Sequence, residues 1–404
     1  MAEGKRVRQS GWTGRLLAFG AGRIFALGAG LALAACSTVV PRGPAPPPPP
    51  RAERPVYEEP RVETGIPRDT QRNRVALLVP LSGGNAGVGT SIANATMLAL
   101  LDTGNDRIRI TNYDTATGAA AAARRAIGEG AQLILGPLLA EDARAVGPIA
   151  RAAGVPVLSF SNDTGVAGQG TYVMGHAPAQ SIERVVAFAR SRGVTSFAGL
   201  VPNGLYGERA STAFLRTVEG QGGQVVSLQT YSRTPASINA AAARVAAKAP
   251  YGAVLIADGG ATAAAAAPGA KRGSPSARIL GTELWNTESG IAARPQLAGA
   301  WFASVSDGLY RQFATKYRAR FGAGPYRLAS LGYDAVLLTI RIARDWPVGT
   351  RFPEGRMRDA DGFAGLDGAF RFDRSGVAER ALEVQEIRGG QTVTVSPAPT
   401  GFGR

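Results

Sequence analysis

Two short polar runs near the middle of the chain carry the side chains best suited to holding a small molecule. Gly136-Pro137-Leu138 follows the apolar run 132–135, and Ser159-Phe160-Ser161-Asn162-Asp163 closes the apolar run that begins at Val155. Hydroxyls, amides and turn backbone of this kind bind by hydrogen bonding and need no reacting group. Residues for covalent chemistry are sparse. His176 is the only histidine and Cys36 the only cysteine, so a His-centred triad or a zinc site has no partners to draw on. No G-x-S-x-G elbow occurs. Asp142, Asp163, Asp258 and Glu283 are the carboxylates from which a glycosidase-like acid/base pair would be drawn, and nothing in their spacing singles out two of them. The expectation is a protein with no catalytic residues, metal or cofactor, in which His176 packs at a junction between lobes.

The element that must position the polar runs is a strand–helix–strand unit over residues 133–163. Gly136-Pro137 ends the first strand, and the helix carries apolar residues at Ala143, Val146, Ile149, Ala150 and Ala153. Gly154 ends the helix, and 155–160 is the second strand. Continuous apolar runs flanking an amphipathic helix predict a parallel sheet covered on both faces. A right-handed crossover then brings both strand ends to one edge, where open α/β sheets hold their ligands.

The same alternation fills the chain from residue 74 onward. Strands are expected at 75–82, 107–113, 172–174, 197–201, 225–231, 253–257, 278–281 and 301–305. Helices are expected at 91–101, 119–128, 179–192, 208–219, 237–248, 309–321 and 328–344. The glycine-rich stretch 83–89 reads as a turn that could cradle an anion, but it is neither G-x-G-x-x-G nor followed by GK[ST]. Residues 370–395 read as a small antiparallel finish. The fold class is α/β: two doubly wound parallel-sheet lobes joined by a hinge near 175–178. The expected first lobe is 73–177 plus 308–345, and the second is 178–307 plus 346–396, with a tail at 397–404.

Hydrophobic content of 45% and 19% charged residues describe a globular chain. The net charge is +15, and lysine occurs only at Lys5, Lys248, Lys271 and Lys316, so the basic residues are overwhelmingly arginine. They form no dense cluster and no nucleic-acid reading motif, so no nucleic-acid partner is expected.

The amino terminus is organised differently. Residues 1–15 are polar and basic, and 16–35 are apolar apart from Arg23, the n-region and h-region of a secretory signal. Leu33-Ala34-Ala35-Cys36 resembles the bacterial lipobox, which implies cleavage before Cys36 and lipid on that cysteine. Ser37, not aspartate, follows it, which implies the outer membrane and a periplasmic-facing domain. Residues 36–72 form a proline-rich tether with the run Pro46–Pro50. At roughly 3.1 Å per residue its upper reach is on the order of 100 Å.

Five motifs in order carry a wider resemblance: VALLVPLSG (75–83), LILGPL…VPVLSFSN (133–162), LVPNGLYGERA (200–210), SLGYDAV (330–336) and LDGAFRFDRSG (366–376). Residues 74–395 resemble the type I periplasmic binding proteins in their Leu/Ile/Val-binding branch. The resemblance implies that Ser159, Ser161 and Thr164, with Asn162 beside them, meet a ligand carboxylate, and that Gly136-Pro137 offers backbone contacts. It implies that Tyr206 closes from the second lobe and that Glu283 meets an ammonium. Leu138-Leu139-Ala140 stands where the family often has a hydroxyl. The lipid anchor and tether further resemble the penicillin-binding-protein activators. That resemblance implies a bifunctional peptidoglycan synthase as partner and regulation of wall synthesis as the function. The alternative is a substrate-binding lipoprotein that captures an amino acid or similar small polar ligand for uptake or sensing.

Overall fold

Alternate residues of the first strand settle the architecture, because they enter opposite cores. The computed structural model describes residues 71–402 apart from Ser289 and Thr400. The signal at 1–35, Cys36 and nearly all of the tether lie outside the described residues. The first lobe is built from β1 (Asn73–Val79), α1 (Ala86–Thr103), β2 (Ile108–Asp114), α2 (Ala119–Gly128), β3 (Leu133–Leu135), α3 (Ala140–Ala153), β4 (Val157–Ser159) and β5 (Thr171–Val173). Its five strands are parallel, in the order β2-β1-β3-β4-β5. Val75, Leu77 and Val79 face a core completed by Ile92 and Leu98 of α1, whereas Ala76 and Leu78 face Ala123, Val146 and Ala150 of α2 and α3. Each fully buried side chain of leucine size stabilises the fold by about 1.5–3 kcal/mol.

The second lobe repeats the plan with α4 (Pro178–Ser191), β6 (Ser196–Pro202), α5 (Leu205–Gly220), β7 (Gln224–Tyr231), α6 (Pro235–Ala246), β8 (Ala253–Ile256), α7 (Gly260–Ala270), β9 (Arg278–Gly281) and β10 (Trp301–Ser304). The chain then returns to the first lobe as α8 (Gly308–Phe321) and α9 (Ala329–Ala343), whose Phe313, Leu331 and Val336 enter the first core. A three-stranded antiparallel sheet follows, β11 (Phe363–Gly365), β12 (Gly368–Phe372) and β13 (Ala378–Arg380). Finally β14 (Glu383–Arg388) and β15 (Gln391–Ser396) join the second sheet antiparallel, giving the order β15-β14-β10-β9-β8-β6-β7.

Two expectations are corrected here. The expected second-lobe range 346–396 holds only for its last part: Trp346, Phe352, Met357, Phe363, Phe370 and Phe372 all pack in the first core. Aromatic burial overrides the proximity of this segment to the closing hairpin. Both helices that follow the leading strand of a lobe also begin earlier than expected, at Ala86 rather than 91 and at Leu205 rather than 208. Their glycines are not turn formers. A Cβ on Gly89 would lie 1.8 Å from the Pro80 carbonyl, and one on Gly207 would lie 1.6 Å from that of Pro202. Each helix starts pressed against its own strand end.

Candidate functional site

Three chain crossings join the lobes: Met174 to Ala177, Val305 to Asp307, and Ala381-Leu382. Asp367 lies at their centre, with no solvent exposure. It accepts from Arg327 Nη1 at 2.7 Å and Ser330 Oγ at 2.8 Å, and its Oδ2 sits 3.1 Å from His176 Nε2. Burial alone would raise the Asp367 pKa; the Arg327 charge and the His176 hydrogen bond override it and hold the group far below the usual carboxylate range. Burial also lowers the His176 pKa, which favours the neutral imidazole. The motif carboxylate Asp334 accepts backbone N–H groups of Leu366 at 2.6 Å and Asp367 at 3.3 Å, which fixes the turn that presents Asp367. Arg380 donates to the Met174 carbonyl at 2.6 Å, tying the first crossing to the third.

Beside this hinge a cleft of about 520 Å³ opens between the lobes. The first lobe supplies Leu138, Phe160 and Asn162, all beyond the carboxyl ends of parallel strands, and the second supplies Glu283 and Leu284 beyond β9. Leu328, from the connection between α8 and α9, adds a further apolar wall. Glu283 is the chemically distinctive group. The residue is 9% exposed, and its carboxylate accepts from Tyr206 Oη at 3.0 Å and from the Ser181 hydroxyl. No cation lies within ion-pair distance of it among the described residues. Burial raises its pKa, and burial beside this carboxylate raises that of Tyr206 as well.

The remaining expected residues lie behind the cleft surface. Ser159 is 0% exposed; its hydroxyl donates to the Pro137 carbonyl at 3.1 Å and accepts from Ser161 N at 3.2 Å. Ser161 is also buried, and its hydroxyl accepts from Asp163 N at 3.1 Å. The two serines therefore lock the loop ends together, which corrects their expected role at a ligand carboxylate: their hydroxyls face backbone, not the cleft. Gly136 is set by packing. Its φ is +92°, and a Cβ there would meet the Leu78 carbonyl at 2.0 Å. Pro137 is engaged through its carbonyl with Ser159 and Phe160. Thr164 opens the single helical turn Thr164–Val166 and is half-buried. Of the expected set, Asn162 and Glu283 line the cleft and Tyr206 reaches it through Glu283.

Among the other carboxylates, Asp163 pairs with Arg144 of its own lobe and, at 3.3 Å, with Arg209 of α5 in the second lobe. Asp258 is engaged by Tyr231 at 3.0 Å and Arg233 at 2.9 Å, within the second lobe. Among the described residues no group of three or more His, Cys, Asp or Glu is placed to hold a metal ion. Sequence reasoning missed Ser181, Arg327 and Arg380. Only the SLGYDAV and LDGAF motifs pointed near them, through Asp334 and Asp367.

Comparison with known proteins agrees with this architecture. A leucine-binding protein, LivK, of Thermotoga maritima superposes with a TM-score of 0.63 at 20% identity, over 81% of this chain and 98% of that one. A putative branched-chain amino acid ABC transporter protein from Rhodospirillum rubrum gives 0.71 at 22% identity, over 80% and 100%. A solute-binding protein of R. palustris, solved with benzoate, gives 0.63 at 19% identity, over 82% and 98%. At these identities the likeness is one of fold. The uncharacterized protein RP748 of Rickettsia prowazekii (strain Madrid E) is 23% identical over 176 residues, 43% of this chain and 47% of that protein, so the chain spans about half the length of the curated relative it matches. The family model described as periplasmic binding protein matches residues 73–391, and with two parallel-sheet lobes closing on a cleft at their strand ends, the chain belongs to the periplasmic binding protein family.

Proposed function

We propose that this chain is a periplasmic lipoprotein that captures a small amphipathic ammonium compound, an aliphatic amino acid in the first instance, between its two lobes. Glu283 carries the reading. A carboxylate buried without a cation is costly, and a ligand ammonium supplies the missing charge while Tyr206 and Ser181 hold both oxygens in place. Leu138, Phe160, Leu284 and Leu328 offer the hydrocarbon a dry wall. The volume lies within the usual range for small-molecule sites, about 300–1,000 Å³. The relatives named above as leucine-binding and benzoate-bound proteins support a small organic ligand. A thermal-shift and calorimetric screen against the twenty amino acids tests the reading. A ligand of about 1 μM affinity at about 1 mM adds roughly 4 kcal/mol of stability. No shift with any amino acid would defeat it.

Synthase activation is the second reading, favoured by one feature, the lipobox-like Leu33–Cys36 with its proline-rich tether. Outer-membrane attachment would separate a receptor from inner-membrane permease subunits and leave it within reach of a wall synthase. Crosslinking in cells to a glycosyltransferase–transpeptidase, with mass analysis showing lipid on Cys36, tests that reading.

A further inference from the structure

At the hinge, next to the cleft, lies a chamber of about 20 Å³ that shares His176, Glu283 and Arg327 with it. That is space for about one water-sized atom. Arg327 and Arg380 both line it, and each is 8% exposed. Arg380 commits one terminal nitrogen to the Met174 carbonyl, but its Nε and Nη1 have no hydrogen-bond partner, and neither do Nε and Nη2 of Arg327. Arg327 Nη2 has the Asp307 carboxylate only at 3.5 Å. Guanidinium nitrogens donate and never accept, so these four require an acceptor.

Two permanent cations line the chamber; Asp367 faces them and is held firmly ionised, and Asp307 is a second carboxylate beside Arg327. Asp334 is pushed up to about 7 by burial, and Glu283 is raised by the same cause. Burial lowers the His176 pKa and so favours the uncharged ring.

We propose that this chamber between Arg327 and Arg380 is a site for a monovalent anion: a halide, or one oxygen of a carboxylate on the molecule held in the cleft. Sulfate and phosphate are too large. The site would also explain how a carboxylate is received when Ser159 and Ser161 are turned to backbone. It is argued from the unpartnered nitrogens of Arg327 and Arg380, not from Glu283, which lines the same chamber.

Crystals of the full chain grown in sodium bromide, measured at the bromine edge, test it directly. The expected result is an anomalous peak between Arg327 and Arg380. Displacement of that peak by formate identifies a carboxylate-competent site, whereas a peak that formate leaves in place identifies a halide site. In solution, replacing about 100 mM gluconate with bromide at constant ionic strength should raise the unfolding midpoint by on the order of 3 °C. R380Q should lose that response; if R380Q does not fold, the wild-type crystals decide alone. Absence of both peak and response overturns the site, whatever leucine does at Glu283.

Discussion

Tyr206 donates its hydroxyl to Glu283 Oε1 at 3.0 Å, linking the first turn of α5 to the loop beyond β9 across the intervening strand β8. With Ser181 on the other oxygen, the carboxylate is oriented by two hydroxyls that cannot neutralise it. Glu283→Gln keeps the shape and removes the charge. A hydrogen bond to a charged group contributes about 1.5–3 kcal/mol, so leucine affinity should fall at least about tenfold. The unfolding midpoint should hold or rise, because an uncompensated buried charge has gone. Calorimetry with a parallel melting curve checks both, and full leucine affinity in E283Q would remove Glu283 from the site.

The pH dependence of binding follows from the same group. Burial raises the Glu283 pKa above the ordinary carboxylate value, and only the ionised form attracts an ammonium. Leucine affinity should therefore begin to weaken at a higher pH than it would with an exposed glutamate, whose ordinary pKa is about 4.3. Stability runs in the opposite sense. A carboxyl whose folded pKa is raised contributes most below its unfolded pKa, and the contribution fades as pH rises through the folded one. Titrating affinity in wild type and E283Q separates the two effects, since the variant should show no such slope in binding.

Asp367 is expected to be the costliest hinge residue to alter. It gathers Arg327, Ser330 and His176 within 3.1 Å, and Asp367→Asn would leave two buried guanidinium groups without their firm counter-charge. Breaking a buried pair from one side costs about 3–5 kcal/mol, readable by urea denaturation. The folded pKa of Asp367 is depressed, so its contribution is present above the unfolded value near 4 and is lost as pH falls below it. D367N should accordingly show a shallower acid limb than wild type.

Much of this molecule could be read from its residues. The alternation of Val75, Leu77 and Val79 with Ala76 and Leu78 between two cores is what continuous apolar strands imply, and the loops after β3 and β4 do reach the cleft through Leu138, Phe160 and Asn162. Composition misled at Gly87, Gly89 and Gly207, where glycine means close approach inside a helix rather than a turn. Ser159 and Ser161 misled because a hydroxyl in a strand-end loop looks the same in sequence whether it faces a ligand or a carbonyl. Arg327 and Arg380 were invisible among so many arginines. Only the folded chain shows that these two are buried at the hinge, Arg327 on Asp367 and Arg380 on the Met174 carbonyl.

Arg209 and Asp163 meet across the lobes at 3.3 Å, while Arg144 holds the same carboxylate from within the first lobe. Arg209 is 48% exposed on its side chain, so the pair should contribute only about 0.2–1 kcal/mol. That is too little to matter for folding, yet it is enough to shift a balanced open–closed equilibrium severalfold. Arg209→Ala should leave the urea midpoint nearly unchanged and increase the radius of gyration of the ligand-free chain in low-salt X-ray scattering. Raising salt should expand the wild type toward the variant, and equal radii at low salt would show that the pair does not hold the lobes.

Gly136 offers the sharpest test of the strand-end geometry. At φ +92° a side chain is already strained, and a Cβ would stand 2.0 Å from the Leu78 carbonyl, where only backbone could yield. Strain of this kind costs about 1–3 kcal/mol, and pushing β1 from β3 adds lost core contacts. Gly136→Ala should lower the unfolding midpoint clearly, whereas Gly128→Ala, with nothing within 4 Å of the new Cβ, should hold or raise it, as expected for glycine replaced in a helix. If the two variants melt alike, the close approach of the Gly136 loop to β1 is not what positions Leu138 and Phe160 at the cleft.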